Sequence, residues 1–208
     1  MTIAEIIQSA HRKWSGDIDY PTSGSDDMEM YVDFYNDAVT EWERQISAGV
    51  AWQELMTSET ITCGGTGTDD LPGDFLSFIA TSEDSENYPA ILKSGNNTWV
   101  QVHAREGLLH YQENNNAYVF WRENGKLRTL PAISGDVIVP YLRKATRAVT
   151  GEETTTPECP VPTFLVNFTS ALISLHNEDQ TKYEQYALTA QEILTDMMGE
   201  SLSEPAIY

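Results

Sequence analysis

The segment Tyr118-Val119-Phe120-Trp121-Arg122-Glu123-Asn124-Gly125-Lys126-Leu127-Arg128-Thr129-Leu130 reads as a β-hairpin. Two β-prone runs flank Asn-Gly, a dipeptide that accepts the left-handed dihedrals a tight hairpin turn requires. This hairpin decides the fold, because both ends of the chain read as helix. Working outward from it, short β-prone runs separated by turn residues extend from about Glu59 to Leu142. They are Glu59–Cys63, Phe75–Ala80, Tyr88–Leu92, Trp99–Val102, Ala117–Arg122, Lys126–Leu130 and Val137–Leu142. The middle of the chain is therefore expected to be a small antiparallel sheet or barrel.

Toward the N-terminus the period changes to that of a helix. Ile3, Ile6, Ile7, Ala10 and Trp14 recur on one face, with Thr2 as N-cap and Glu5 completing a capping box. After a break at Gly16, Pro21 and Gly24, a second helix starts at Ser25 or Asp26. Its apolar face is Met28, Tyr31, Val32, Tyr35, Ala38, Val39, Trp42 and Ile46. Asp33, Asp37, Glu41 and Glu43 are expected to point elsewhere, and Gly49 to end the helix. Toward the C-terminus, Ala145 to Pro162 reads as a polar linker. A third helix follows from Pro162 or Thr163, with Phe164, Leu165, Phe168, Ala171, Leu172 and Leu175 on its face. A fourth spans about Asp179 to Met198, burying Tyr183, Tyr186, Ala187, Ala190, Ile193, Leu194 and Met197. Gly199 to Tyr208 lacks periodicity and is expected to be an extended tail. The predicted class is α+β. A helical bundle (1–58 and 145–198) carries an inserted antiparallel β domain (59–144) and a C-terminal tail (199–208).

The 208 residues suffice for one core or two small modules, and 40% hydrophobic content with five Trp and ten Tyr argues against disorder. Twelve Lys and Arg against 32 Asp and Glu give a net charge of −20, which disfavours nucleic-acid or anionic-membrane binding. The cations cluster. Arg122, Lys126, Arg128, Arg143, Lys144 and Arg147 face only Glu123 and Asp136 in the span 122–147, leaving it at +4 and the remainder at −24. Such a stretch is either a solvated surface or a contact for an acidic neighbour. Two cysteines, Cys63 and Cys159, make no disulfide framework and suit a reducing cytoplasm; a bond between them stays open. The N-terminus lacks a signal peptide's apolar run, so Asn167-Phe168-Thr169 is not expected to be glycosylated. No stretch reaches membrane-spanning length.

A search for reactive groups finds little. His103, Glu106 and His110 lack the spacing that sets two imidazoles on one helix face, and His11 and His176 stand alone. Cys63-Gly64-Gly65-Thr66-Gly67-Thr68 lacks the lysine of a phosphate loop and precedes Asp69-Asp70, so it reads as a turn. Cys63 has no neighbouring His to activate it. Asp17-Ile18-Asp19, Asp26-Asp27 and Asp69-Asp70 do not follow a calcium-loop spacing. No metal, cofactor or catalytic set is expected. Trp99, Tyr111, Tyr118, Phe120 and Trp121 are interleaved with polar residues and read as sheet core, with a stacking platform as the alternative.

Several patterns resemble the head-to-tail adaptor (connector) proteins of tailed phages, in the tail tubular protein A-like form with a β domain inserted in a helical bundle. The resemblance rests on the helix ending at Trp14 and on Tyr31-x-x-x-Tyr35-Asn36-x-Ala38-x-x-x-Trp42. It rests also on Leu71-Pro72-Gly73-Asp74-Phe75, similar to the step that opens the family's β region. The hairpin, the strand ending in Tyr141 and the entry through Pro157, Pro160 and Pro162 complete it. Polar insertions around Ser82–Asn87 and Gly95–Thr98 depart from the pattern and leave the strand count open.

The resemblance implies a non-enzymatic structural virion protein, assembled in the host cytoplasm and resident at the head-tail junction. Such subunits form an oligomeric ring, commonly a dodecamer, beneath the portal protein. They extend the DNA ejection channel and receive the next tail or nozzle protein. An acidic wall would let DNA pass without sequence-specific binding. Leu202, Ile207 and Tyr208 in the tail are the candidate portal contacts, and the six clustered cations are the candidate subunit interface. Two other classes stand beside this: a carbohydrate- or peptide-binding module using Trp99, Tyr118 and Trp121, and a hydrolase using paired carboxylates.

Overall fold

The computed structural model describes residues 1–17, 21, 24–48, 50–79, 90–102 and 118–203, with backbone only at 47–48 and 200–203. Four α-helices lie among them: α1 (Ile3–Ser15), α2 (Asp26–Arg44), α3 (Pro162–His176) and α4 (Gln180–Ser203). Among the described residues, eight strands lie between α2 and α3. They are β1 (Met56–Gly64), β2 (Thr68–Asp70), β3 (Phe75–Phe78), β4 (Ile91–Ser94), β5 (Asn97–Gln101), β6 (Val119–Glu123), β7 (Lys126–Leu130) and β8 (Ser134–Arg143). The protein is α+β. The chain forms two compact units, a helical one from Met1–Glu54 with Ala145–Glu204 and a β unit containing Leu55–Lys144.

In the helical unit, the first-turn amides of α1 are all accounted for. Thr2 Oγ1 accepts from Glu5 N at 3.3 Å while Glu5 Oε2 accepts from Thr2 N at 2.8 Å, the reciprocal box the sequence predicts. Ile6 N donates to Thr2 O at 3.1 Å. The remaining two donors, Ile3 N and Ala4 N, bond to Thr155 O and Glu153 O at 2.9 and 2.8 Å. The segment expected as a polar linker is thus a strap that caps α1. At α2, Ser25 is the cap, accepting from Met28 N at 3.2 Å. The α-helix ends at Arg44 and tightens into a 3-10 turn, Gln45–Ala48, before Gly49, which lies outside the described residues.

Helix α3 differs from the expected single stripe. It packs against α1, α2 and α4, so nearly its whole circumference is covered. Val166, Asn167, Thr169, Ser170, Ile173 and Ser174 are buried, whereas Leu175 is 48% exposed. Three of its polar side chains are carried inside by bonding to their own helix, while the Thr169 hydroxyl is buried without a partner among the described residues. Ser170 Oγ donates to Val166 O at 2.7 Å, Ser174 Oγ to Ser170 O at 2.8 Å and Asn167 Nδ2 to Thr163 O at 2.7 Å. Periodicity counts only apolar residues and misses small polar ones that hide this way. Helix α4 packs on α3 through Ala190, Leu194 and Met197 and continues to Ser203, so residues 199–203 are helical instead of extended. The rest of the predicted tail, 204–208, lies outside the described residues.

The β unit is one sheet ordered β1-β8-β4-β5-β6-β7-β2, with β3 also paired to β8. The ends of that order, β1 and β2, adjoin each other through the turn at Gly64–Gly67, so the sheet curls on itself. All pairs are antiparallel except β5 with β6, which run parallel through Val100–Val119 and Gln101–Phe120. That pair departs from the expected antiparallel sheet. The hairpin β6–β7 turns at Asn124 (φ 51°) and Gly125 (φ 76°), both left-handed as Asn-Gly favours. The core joins Cys63, Ala90, Leu92, Trp99, Phe120, Leu127, Ile133, Val137 and Val139. Strand β2, three residues after a glycine-rich turn, was too short to read from the sequence.

Candidate functional site

Of the family-like residues of the helical unit, Asn36 grips the strap. Asn36 Oδ1 accepts from Ala148 N at 2.8 Å and its Nδ2 donates to Ala148 O at 3.1 Å, so one amide side chain pairs with one backbone residue in both directions. Tyr35, Ala38 and Trp42 beside it are 1%, 0% and 0% exposed. Burial, with the charges of Cys159 and Glu158, raises the Tyr35 hydroxyl far above its ordinary range. Trp52 Nε1 donates to Trp42 O at 3.0 Å, and the two rings lie 5.6 Å apart.

Glu43 is a correction to the sequence reading. Expected to face outward, it is 8% exposed and bonds to Arg147, which also donates to Ala145 O at 3.0 Å. Its position four residues after Val39 places it on the apolar stripe, a signal its charge concealed. Thr146 adds two bonds to Glu158, through N and Oγ1, both at 2.9 Å.

The Leu71–Phe75 motif does comparable work in the β unit. Phe75 N donates to Pro72 O at 3.0 Å, closing a turn. Asp74 accepts from the Tyr141 hydroxyl at 2.9 Å and, through its carbonyl, from Lys144 N at 2.7 Å. Phe75 stacks on Tyr141 with ring centroids 5.5 Å apart, and Arg122 lies over Phe75 at 5.2 Å. Burial and the Asp74 bond push the Tyr141 hydroxyl up to about 12. Nothing in the sequence pairs Asp74 with Tyr141, 67 positions apart.

The six clustered cations do not form one free patch. Lys126 pairs with Asp70 at 2.8 Å, and Arg128 with Glu123 at 2.7 Å and with Thr68. Arg122 donates to Leu76 O at 3.0 Å and Arg143 to Lys144 O at 3.4 Å. Arg147 belongs to the other unit. Of the tail candidates, Leu202 stands on α4 with its side chain outside the described residues, as are Ile207 and Tyr208.

Trp99, Phe120 and Trp121 are core, as the sequence reading expects, and not a stacking platform. Trp99 and Trp121 are 3% and 5% exposed, and the rings of Trp99 and Tyr118 cross at 89°. Trp99 is held by a bond from Nε1 to Pro131 O at 3.0 Å. Both cysteines are free and buried, and burial first of all raises each thiol to about 12. The glycine-rich run is the β1–β2 turn, where Gly64 N donates to Asp69 Oδ1 at 2.9 Å. Among the described residues no three His, Cys, Asp or Glu side chains gather to hold a metal, and no helix is long and apolar enough to cross a membrane. His103, Glu106, His110 and Tyr111 lie outside them. His11 is not solitary: it is buried, and its Nδ1 lies 3.0 Å from the Tyr31 hydroxyl. Asn167 is 3% exposed, out of reach of modification in the folded chain.

In comparison with known proteins, the chain is similar over residues 1–205 to a family model described as SU10 adaptor protein. No curated protein matches it.

Proposed function

The chain belongs to the SU10 adaptor protein family, and from that premise we propose that this phage structural adaptor joins the portal to the tail as one subunit of a ring. The ring is of the tail tubular protein A-like kind, with twelve copies, and continues the DNA channel toward the next tail or nozzle protein. DNA passes along it without sequence-specific binding. The protein resides at the head-tail junction after assembly in the host cytoplasm, and its role is contact, not catalysis.

The observation that carries this reading is that the family match runs through both units, 205 of 208 positions. The anatomy supports it. Among the residues of the family-like patterns, Asn36 holds the strap, Trp42 holds Trp52 just after α2, and Asp74 with Tyr141 fixes the end of β8. In this proposal the helical segments form the rigid body and the inserted β domain supplies lateral surfaces. Arg122, Lys126, Arg128, Arg143, Lys144 and Arg147 contribute to the subunit interface. The end of the chain, with Leu202, Ile207 and Tyr208, reaches the portal.

Light scattering of the chain alone and mixed with its virus's portal ring tests the proposal. A discrete high-mass complex containing many copies is expected. A chain that stays separate from the portal at micromolar concentration would overturn it. Deleting residues 200–208 should weaken portal binding; undiminished binding removes the tail from the proposal and leaves the ring.

A further inference from the structure

The outward face of the β unit holds an apolar patch with a cation inside it. Register fixes which side chains share that face. Lys93 on β4 stands opposite Ile138 on β8, and Ile91 on β4 stands opposite Val100 on β5. Their chain neighbours Leu92, Val137 and Val139 point into the core, so these four point out. Ile138 is 62% exposed, more than any other large hydrophobic residue described, and Val100 is 36% exposed. Lys93 is exposed and, among the described residues, has no hydrogen-bond or ion-pair partner, whereas Lys126, Arg128 and Arg147 are matched to acids.

β-Branched and aliphatic side chains adjoining on a solvent-facing sheet surface, around an unmatched lysine, suit an interface more than a solvated wall. The partner's chemistry follows from charge. The helical unit holds 21 Asp and Glu against 5 Lys and Arg, while the β unit holds 11 against 7. The same chain thus carries an apolar, lysine-centred surface on one unit and a strong acidic surplus on the other. Different patches that complement each other make a head-to-tail contact, the kind that closes into rings.

We infer that the outward face of β4, β5 and β8, with Ile91, Lys93, Val100 and Ile138 side by side, receives the acidic helical unit of a neighbouring copy. This rests on the proposal that copies gather at the portal and adds the surface by which they touch. It is distinct from the six clustered cations, most of which are satisfied within their own chain.

The test uses full-length protein assembled on portal rings. Ile138→p-benzoylphenylalanine places a photo-crosslinker on the patch. Mixing isotope-labelled and unlabelled copies separates crosslinks between chains from those within one. Crosslinks between copies should map to residues 1–54 or 145–203. Lys93→Glu and Ile138→Asp should each raise the protein concentration needed for assembly by about tenfold, with circular dichroism and melting temperature unchanged. Should one variant misfold, the other and the crosslink still decide. Crosslinks confined to the portal or to the β unit, or both variants assembling as wild type does, would overturn the surface while leaving the ring intact. A wild-type chain that never gathers in several copies sinks both.

Discussion

Asn36 shows how a single side chain can hold a long connection in place. Its amide offers one donor and one acceptor, and Ala148 presents the complementary pair on its backbone. Asn36→Ala leaves a buried amide and carbonyl unmatched, which should cost about 1–3 kcal/mol in denaturant unfolding. A loss below about 0.5 kcal/mol would show that water replaces the side chain without penalty. The cysteines give a second prediction at this scale. Thiolate is the reactive form, and both thiols are buried with values near 12 instead of 9.0. Native protein at pH 8 should therefore resist a disulfide-exchange reagent, and denatured protein should titrate two thiols; rapid native reaction would refute the burial. The same shifts set an alkaline dependence. Below pH 9 both states keep the thiol protons and the full stability is present. Between about 9 and 12 the unfolded chain releases protons that the folded chain retains, so stability falls as pH rises. Tyr141, raised from 10.0 to about 12, acts in the same direction, and the melting temperature should decline through this window.

Among the elements, the turn between β1 and β2 is the most constrained. Gly67 has φ of +73°, and a Cβ placed there would lie 2.9 Å from Thr129 O on neighbouring backbone. Gly73 has no such dihedral and open space around it. Gly67→Ala should destabilise the protein by about 1–3 kcal/mol, while Gly73→Ala should be nearly neutral. Equal effects in thermal unfolding would mean that the turn shifts to accommodate a methyl group. The run was legible as a turn because glycines accept left-handed dihedrals, but the short strand beyond it was not. Elements set by local chemistry were readable in this way: the Thr2–Glu5 cap, the Ser25 cap and the Asn124-Gly125 turn. Elements set by distant partners were not. Burial of Glu43 depends on Arg147, the all-round burial of α3 on three packed helices, and the parallel β5–β6 pair on a connection with no local signature. The candidate surface followed the same rule. Clustering of cations along the chain was visible, but their acids Asp70 and Glu123 came into reach only through sheet register. Conversely Lys93, alone in sequence, became notable once pairing set it opposite Ile138.

For the whole molecule, net charge governs what the chain does before it meets a partner. Two copies at −20 each repel over a distance set by the Debye length, about 30 Å at 0.01 M salt and about 8 Å at 0.15 M. Most of this repulsion comes from the helical unit, with 21 acids against 5 bases. The contact inferred at Lys93 is short-range and set among apolar side chains, so salt weakens it far less than it weakens repulsion between whole bodies. The two effects therefore separate on an ionic-strength axis. Without a portal, light scattering should give the mass of a single chain at 0.01 M salt and a rising average mass as salt approaches 0.15 M. Lys93→Glu should flatten that rise, since screening removes the barrier but leaves no attraction to reveal. A mass that falls as salt is added would mean that exposed ion pairs drive association. The apolar side chains would then be secondary, and attraction between the acids of the helical unit and the cations of a neighbour would carry the contact.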